Sequence, residues 1–161
     1  IPVQVNGADT EPRQFAGAAE GLRFASTQVP SSDLNTLDDY SEYVAASTAC
    51  TGAITTAVIW EAVKVGKTVT VRLPSTTGTA TAASSFSFGV VLPAAFRPAT
   101  PMAFCVSMQD NSVALATNGI LYIATNGTMS VYLDGTYATN FTAAAGAGLL
   151  YDTAVSYIVV S

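Results

Sequence analysis

Four carboxylates, Asp33, Asp38, Asp39 and Glu42, crowd into one short stretch of a chain that has only 11 acidic residues in 161. The surrounding segment, GLRFASTQVPSSDLNTLDDYSEY, also carries Arg23. Paired carboxylates could cleave a glycosidic bond, with two carboxyl groups facing each other across the sugar at about 5–9.5 Å. Asp38 and Asp39 are adjacent, however, and neighbouring residues of a strand point to opposite faces. As a calcium loop, DLNTLDDYSE lacks the glycine and the ligand spacing of an EF-hand. Ser, Asp and Asn in this order fit better as side-chain caps for turns or a short helix.

Other chemistry finds little to work with. The chain has no histidine, which removes the commonest general base and the commonest zinc ligand. Serine and threonine are plentiful, but there is no G-x-S-x-G elbow, S-x-x-K, phosphate-binding loop or dinucleotide fingerprint. Gly146 and Gly148 in AAAGAGLL have no preceding strand and following helix, and read as a flexible loop. No catalytic residue, metal ligand or cofactor is therefore expected, and the chain reads as a non-enzyme. Cys50 and Cys105 lie far apart with no CxxC pairing, and this spacing requires no disulfide. Cys105, inside MAFCVSM, reads as a small core residue.

With 50% hydrophobic and 11% charged residues, the chain can build a core. Its wealth of Ala, Thr, Ser, Val and Gly favours strands over helices. A net charge of −5 argues against a nucleic-acid partner, which calls for clustered Lys and Arg. IPVQVNG has neither the basic nor the apolar region of a signal peptide. No apolar run approaches the roughly 20 residues of a membrane span, so no membrane insertion is expected. A chain that begins at Ile reads as a fragment or a processed product.

Residues 1–45, with Pro2, Pro12 and Pro30 and scattered apolar anchors, read as an extended N-terminal neck or connector. Residues 46–161 read as a β head. AVIWEAVKVG and KTVTVRLP form two strands joined at Gly66–Lys67, the second alternating Val69 and Val71 with polar residues. STTGTATAAS is expected to be a loop. SFSFGVVLP alternates about Phe86 and Phe88 until Pro93, and AAFRPATP continues as an extended loop.

MAFCVSMQ, SVALAT, ILYIAT and TMSVYL follow, with turns at Asp110–Asn111, Asn118–Gly119 and Asn126–Gly127. Asp134–Gly148 is expected to be a long loop, and AVSYIVVS a closing strand. About eight strands at this spacing predict an all-β, antiparallel sandwich or jelly roll. Strand faces so poor in Lys and Glu predict burial against identical chains.

Trp60, Phe86, Phe88 and Phe104 are expected in the core or a subunit interface. Tyr137 and Phe141, in one loop with Asp134 and Asn140, offer aromatic faces beside amide and carboxylate groups, the combination that binds sugars. Equally, both rings could pin the loop to the sandwich. These four residues, with Asp110 and Asn111 of the neighbouring turn, are the receptor-contact candidates. Asn126-Gly-Thr and Asn140-Phe-Thr match the glycosylation acceptor pattern, which matters only in a secreted eukaryotic context.

Several blocks resemble the C-terminal domain of tailed-bacteriophage tail fibres. LRFASTQVPSSDLNTLDDYSEY is similar to a segment that precedes the β domain there, although the usual form ends in a Glu-Gly-Thr-Trp-like sequence. AVKVGKTVTVRL, VVLPAAFRPATP and NGILYIATNGTMSVY resemble blocks of the domain itself. The resemblance covers most of residues 21–160. It implies a homotrimeric fibre tip or knob in the virion, on the phage tail and extracellular when acting. Its implied partners are identical subunits, other virion proteins through the N-terminal region, and a host cell-surface receptor, a glycan or a protein. A purely structural virion piece, such as a capsid decoration or head fibre, is the alternative.

Overall fold

The computed structural model describes residues 40–159. These residues are all-β, with antiparallel pairing throughout and a single 3₁₀ turn, Ala94–Phe96, beside the strands. In chain order the strands are β1 (Tyr40–Val44), β2 (Thr48–Ala49), β3 (Thr51–Gly52), β4 (Ala57–Val58), β5 (Glu61–Val65), β6 (Thr68–Leu73), β7 (Thr76–Thr79) and β8 (Ser85–Ser87). Then come β9 (Met102–Val106), β10 (Met108–Asp110), β11 (Val113–Ala114), β12 (Gly119–Ile123), β13 (Met129–Tyr132), β14 (Ala145–Leu149) and β15 (Thr153–Ile158). Among the described residues no helix is long and apolar enough to cross a membrane.

The first sheet has the order β1-β5-β6-β15. Its centre is the β5–β6 hairpin, closed by Gly66–Lys67 between the paired Val65 and Thr68. Alternation in β6 sends Val69, Val71 and Leu73 into the core at 0% exposure, while Thr68, Thr70 and Arg72 face outward. β15 answers on the same side with Val155 opposite Val71 and Tyr157 opposite Val69. The Tyr157 hydroxyl is buried and donates to the Phe96 carbonyl at 2.6 Å, so its polar end is satisfied.

β1 extends this sheet at the edge, and Ala45 behind it is in the core. Residues 40–45 of the expected connector therefore belong to the β unit. The rest of the expected neck, with Asp33, Asp38 and Asp39, lies outside the described residues. Glu42 is exposed on β1 and accepts from the Tyr40 hydroxyl.

The five-stranded sheet runs β3-β8-β13-β12-β9. Phe86, Val131 and Leu121 are direct cross-strand partners, all at 0% exposure, and form its inner row. The β12–β13 hairpin closes through the expected Asn126–Gly127. Gly127 has φ 88, and the Asn126 carboxamide accepts the Thr128 amide at 2.9 Å. A type I turn followed by a left-handed residue is a common way to close such a hairpin.

A further four-stranded sheet, β11-β10-β14-β7, and the short β2-β4 pair complete the unit. Two of these strands come from segments expected to be loops. STTGTATAAS contains β7, and AAAGAGLL contains β14, which pairs with both β7 and β10. Thr, Gly and Ala carry no large apolar residue to betray the alternation, yet their small size is what the site needs. A Cβ on Gly148, at φ 145, would collide with the Thr76 carbonyl oxygen of the neighbouring strand. Gly146 and Gly148 are thus sites of close backbone approach in a strand, and not a flexible loop.

Three further expectations change. The turn expected at Asp110–Asn111 is centred one residue on, with Asn111 and Ser112 both at positive φ between the paired Asp110 and Val113. Asn118–Gly119 closes no hairpin, because Gly119 opens β12 and pairs with Val106 of β9. Cys105 also points outward from β9 and is exposed, while Cys50 is the buried cysteine; both are free thiols. Trp60, Phe86 and Phe88 are in the core as expected, and Phe104 packs partly buried against it.

Candidate functional site

The inner row of the five-stranded sheet dictates what its outer face carries. With Leu121 and Val131 turned inward, their neighbours Tyr122 and Tyr132 must turn outward. Tyr132 lies opposite Ser85 on one side and Ile120 on the other, and Tyr122 lies opposite Ser130. The outer face thus carries two tyrosines set diagonally across one hairpin. Beneath Tyr122, Ser130 is nearly buried, and its hydroxyl bonds that of Ser87 at 2.7 Å.

The chain leaves β13 into the Asp134–Phe141 loop, which folds back over this face. The Asp134 carboxylate accepts from the Thr136 amide at 2.9 Å, the Thr136 hydroxyl at 2.7 Å and the Thr139 hydroxyl. Hydrogen bonds from Thr139, Thr136 and the Tyr137 amide hold the Asp134 carboxyl below the usual carboxylate range. At the far end, Phe141 is 1% exposed, packs on Phe86 with ring centroids 6.0 Å apart, and donates its amide to the Ala83 carbonyl. Next to it, the Thr142 hydroxyl reaches the Asp110 carboxylate at 2.7 Å and its amide at 3.1 Å.

Held at both ends, the loop places Tyr137 at φ 61. That left-handed conformation is unusual for a bulky residue, and strain of this kind gathers at ligand sites. The Tyr137 ring meets Tyr132 at 4.8 Å and 79°, and Tyr122 at 6.2 Å and 82°. Tyr137 itself remains 42% exposed. Together Ser84, Ser85, Tyr122, Tyr132 and Tyr137 line an open groove of about 560 Å³. Three phenols and two serine hydroxyls can both donate and accept hydrogen bonds, and the rings add apolar area.

Of the six residues expected to contact a receptor, Tyr137 lines the groove and Asp134 positions it. Asn140 is exposed on the same loop. Phe141 is buried, so its ring pins the loop and offers no contact surface. Asp110 anchors the end of the loop through Thr142, and Asn111 is exposed in the adjoining turn.

Sequence reasoning missed Ser84, Ser85, Tyr122 and Tyr132. The signal for the two tyrosines was the alternation in GILYI and MSVY, read through the register that Asn126–Gly127 imposes. Nothing in the sequence pointed to Ser84 and Ser85. Among the described residues, no three His, Cys, Asp or Glu side chains are grouped to hold a metal ion.

No family model matches this chain, and no curated protein resembles it significantly in sequence.

Proposed function

We propose that this chain is the head of a tailed-phage fibre, a trimeric β-sandwich or jelly roll that attaches the virion to a receptor on the host surface. The observation that carries the attachment role is the tyrosine-lined groove with its strained, exposed Tyr137. At Tyr137 the packing of the ring on Tyr132 does no more than offset the strain of φ 61, and the residue stays 42% exposed, so a contact outside the chain is the natural reason for it. The phage setting rests on the resemblance of the sequence blocks, not on the groove.

Assembly into a trimer draws support from a second surface. On the outer face of the β1-β5-β6-β15 sheet, Tyr40, Val65, Thr68 and Ile158 stand side by side in one cross-strand row. Tyr40, Val65 and Ile158 are 48%, 57% and 60% exposed, which leaves a largely apolar strip in water, interrupted by Thr68. Such a strip is a liability in a monomer and an asset in an oligomer. It equally suits a purely structural virion protein, which is the second reading.

Adsorption separates the two. The isolated chain should bind cells susceptible to the virus and compete with virion adsorption, and Tyr137→Ala should weaken both. A folded chain that neither binds the cells nor competes would leave only the structural role.

A further inference from the structure

Resting on the attachment reading, we infer that the tyrosine groove takes an uncharged sugar ring and discriminates against acidic glycans. Size is the first argument: about 560 Å³ falls within the roughly 300–1,000 Å³ of small-ligand sites. The second is the lining. The C–H face of a pyranose is apolar and its rim is hydroxyl-rich, so it needs an aromatic face beside groups that both donate and accept. Tyr122, Tyr132 and Tyr137 supply the rings, and their phenols with Ser84 and Ser85 supply five hydroxyls.

Charge narrows the class. The cations among the described residues are Lys64, Lys67, Arg72 and Arg97, and none lines the groove. Lys64, Lys67 and Arg72 belong to the β5–β6 hairpin, and the Arg97 guanidinium donates to the Leu92 carbonyl at 2.8 Å. The one charged group built into the groove's own loop is the Asp134 carboxylate, held ionised by its hydroxyl and amide donors. A uronate, sialate or sulfate entering here would lose water and find no counter-charge among the described residues, with the like-signed Asp134 carboxylate in the loop that carries Tyr137. A neutral ring meets none of these costs.

The test uses the full chain on an array that pairs uncharged pyranosides with their uronate and sulfate counterparts. Binding to uncharged members, weakened about tenfold or more by Tyr137→Ala and by Tyr132→Ala, is the expected result. Ser85→Lys should lower binding to uncharged members and raise it towards the acidic counterparts, a change that a purely structural role would not produce. Emission from Trp60, which is 1% exposed, reports that each variant is folded.

Preference of the unmodified chain for acidic members overturns the inference, as does binding to uncharged members that survives both tyrosine substitutions. A receptor of another class is revealed on cells: adsorption that resists periodate oxidation of the cell surface but is lost to protease overturns the sugar assignment and leaves attachment standing. Absence of any adsorption overturns the attachment reading itself.

Discussion

The ring of Tyr137 stands edge-on to that of Tyr132, with centroids 4.8 Å apart and planes at 79°. One ring comes from a strand and the other from a loop residue at φ 61, so the contact joins a rigid floor to a strained lid. Edge-to-face aromatic pairs contribute about 0.5–1.5 kcal/mol beyond burial, and a left-handed non-glycine residue costs about 1–2 kcal/mol. These opposing terms nearly cancel. Tyr137→Gly should therefore leave stability within about 1 kcal/mol of the parent while adsorption is lost. Urea denaturation checks the first half, and a loss above about 3 kcal/mol would show that the ring is there for packing.

Phe141 and Asn140 are neighbours with opposite duties. Phe141→Ala empties a site packed against Phe86 and should cost about 3–5 kcal/mol. Asn140→Ala, on the exposed side, should change stability by no more than about 0.5 kcal/mol. Equal losses in the two variants would contradict the burial assigned to Phe141.

The two cysteines should separate in a thiol titration. Cys105 is exposed on β9 and should react with a disulfide reagent in the native protein. Cys50 is 1% exposed, and burial pushes its thiol up to about 11, so it should react only after denaturation. Two fast-reacting thiols in the native state would sink this assignment.

Asp134 should make its loop sensitive to acid. Hydrogen bonds from Thr139 and Thr136 lower its carboxyl below the ordinary Asp value, so the folded state binds its proton less readily than the unfolded chain. Its contribution to loop order is present above that ordinary value, about 3.9, and fades as pH falls through the lower folded value. The protection of the Thr136 amide from exchange, relative to its intrinsic rate at each pH and followed from about pH 5 downward, should fall at the acid end. Asp152 is lowered too, chiefly by the Ser75 amide, so its effect on stability has the same sign. Asp134→Asn assigns the effect, since it should abolish the pH dependence of that protection at Thr136 alone.

The apolar strip on the first sheet makes its own prediction. Val65→Lys and Ile158→Lys both alter exposed side chains, so neither should disturb the fold. If the strip seals an oligomer, each buries an unpaired ammonium in it, and sedimentation should show a smaller species than the parent chain. An unchanged sedimentation coefficient would show that the strip seals no oligomer.

Local pattern was enough wherever large apolar residues alternate with polar ones or a turn carries its own chemistry. KTVTVRLP, with Gly66–Lys67 before it, specified β6 and its hairpin, because Val69, Val71 and Leu73 share a face at period 2. Asn126–Gly127 likewise specified the β12–β13 hairpin. From composition came the all-β class.

Small residues hid the rest. β7 and β14 have almost no apolar side chain to place, and they become strands because Gly148 lets the Thr76 backbone come close. No local signal records that approach. The same limit applied to Cys105, whose side of β9 depends on pairing with Ile120 and not on the apolar run around it.

The groove shows the division most clearly. By itself the sequence determined the antiparallel β class, the main hairpins and the aromatic loop that carries Tyr137. Only the tertiary structure decided that Tyr122 and Tyr132 would meet that loop and that Phe141 would turn inward beneath it. Alternation sets the side of a sheet on which a residue stands. Register and a loop tied down by Asp134, Phe141 and Thr142 set what it meets there, and those depend on contacts between residues distant in the chain.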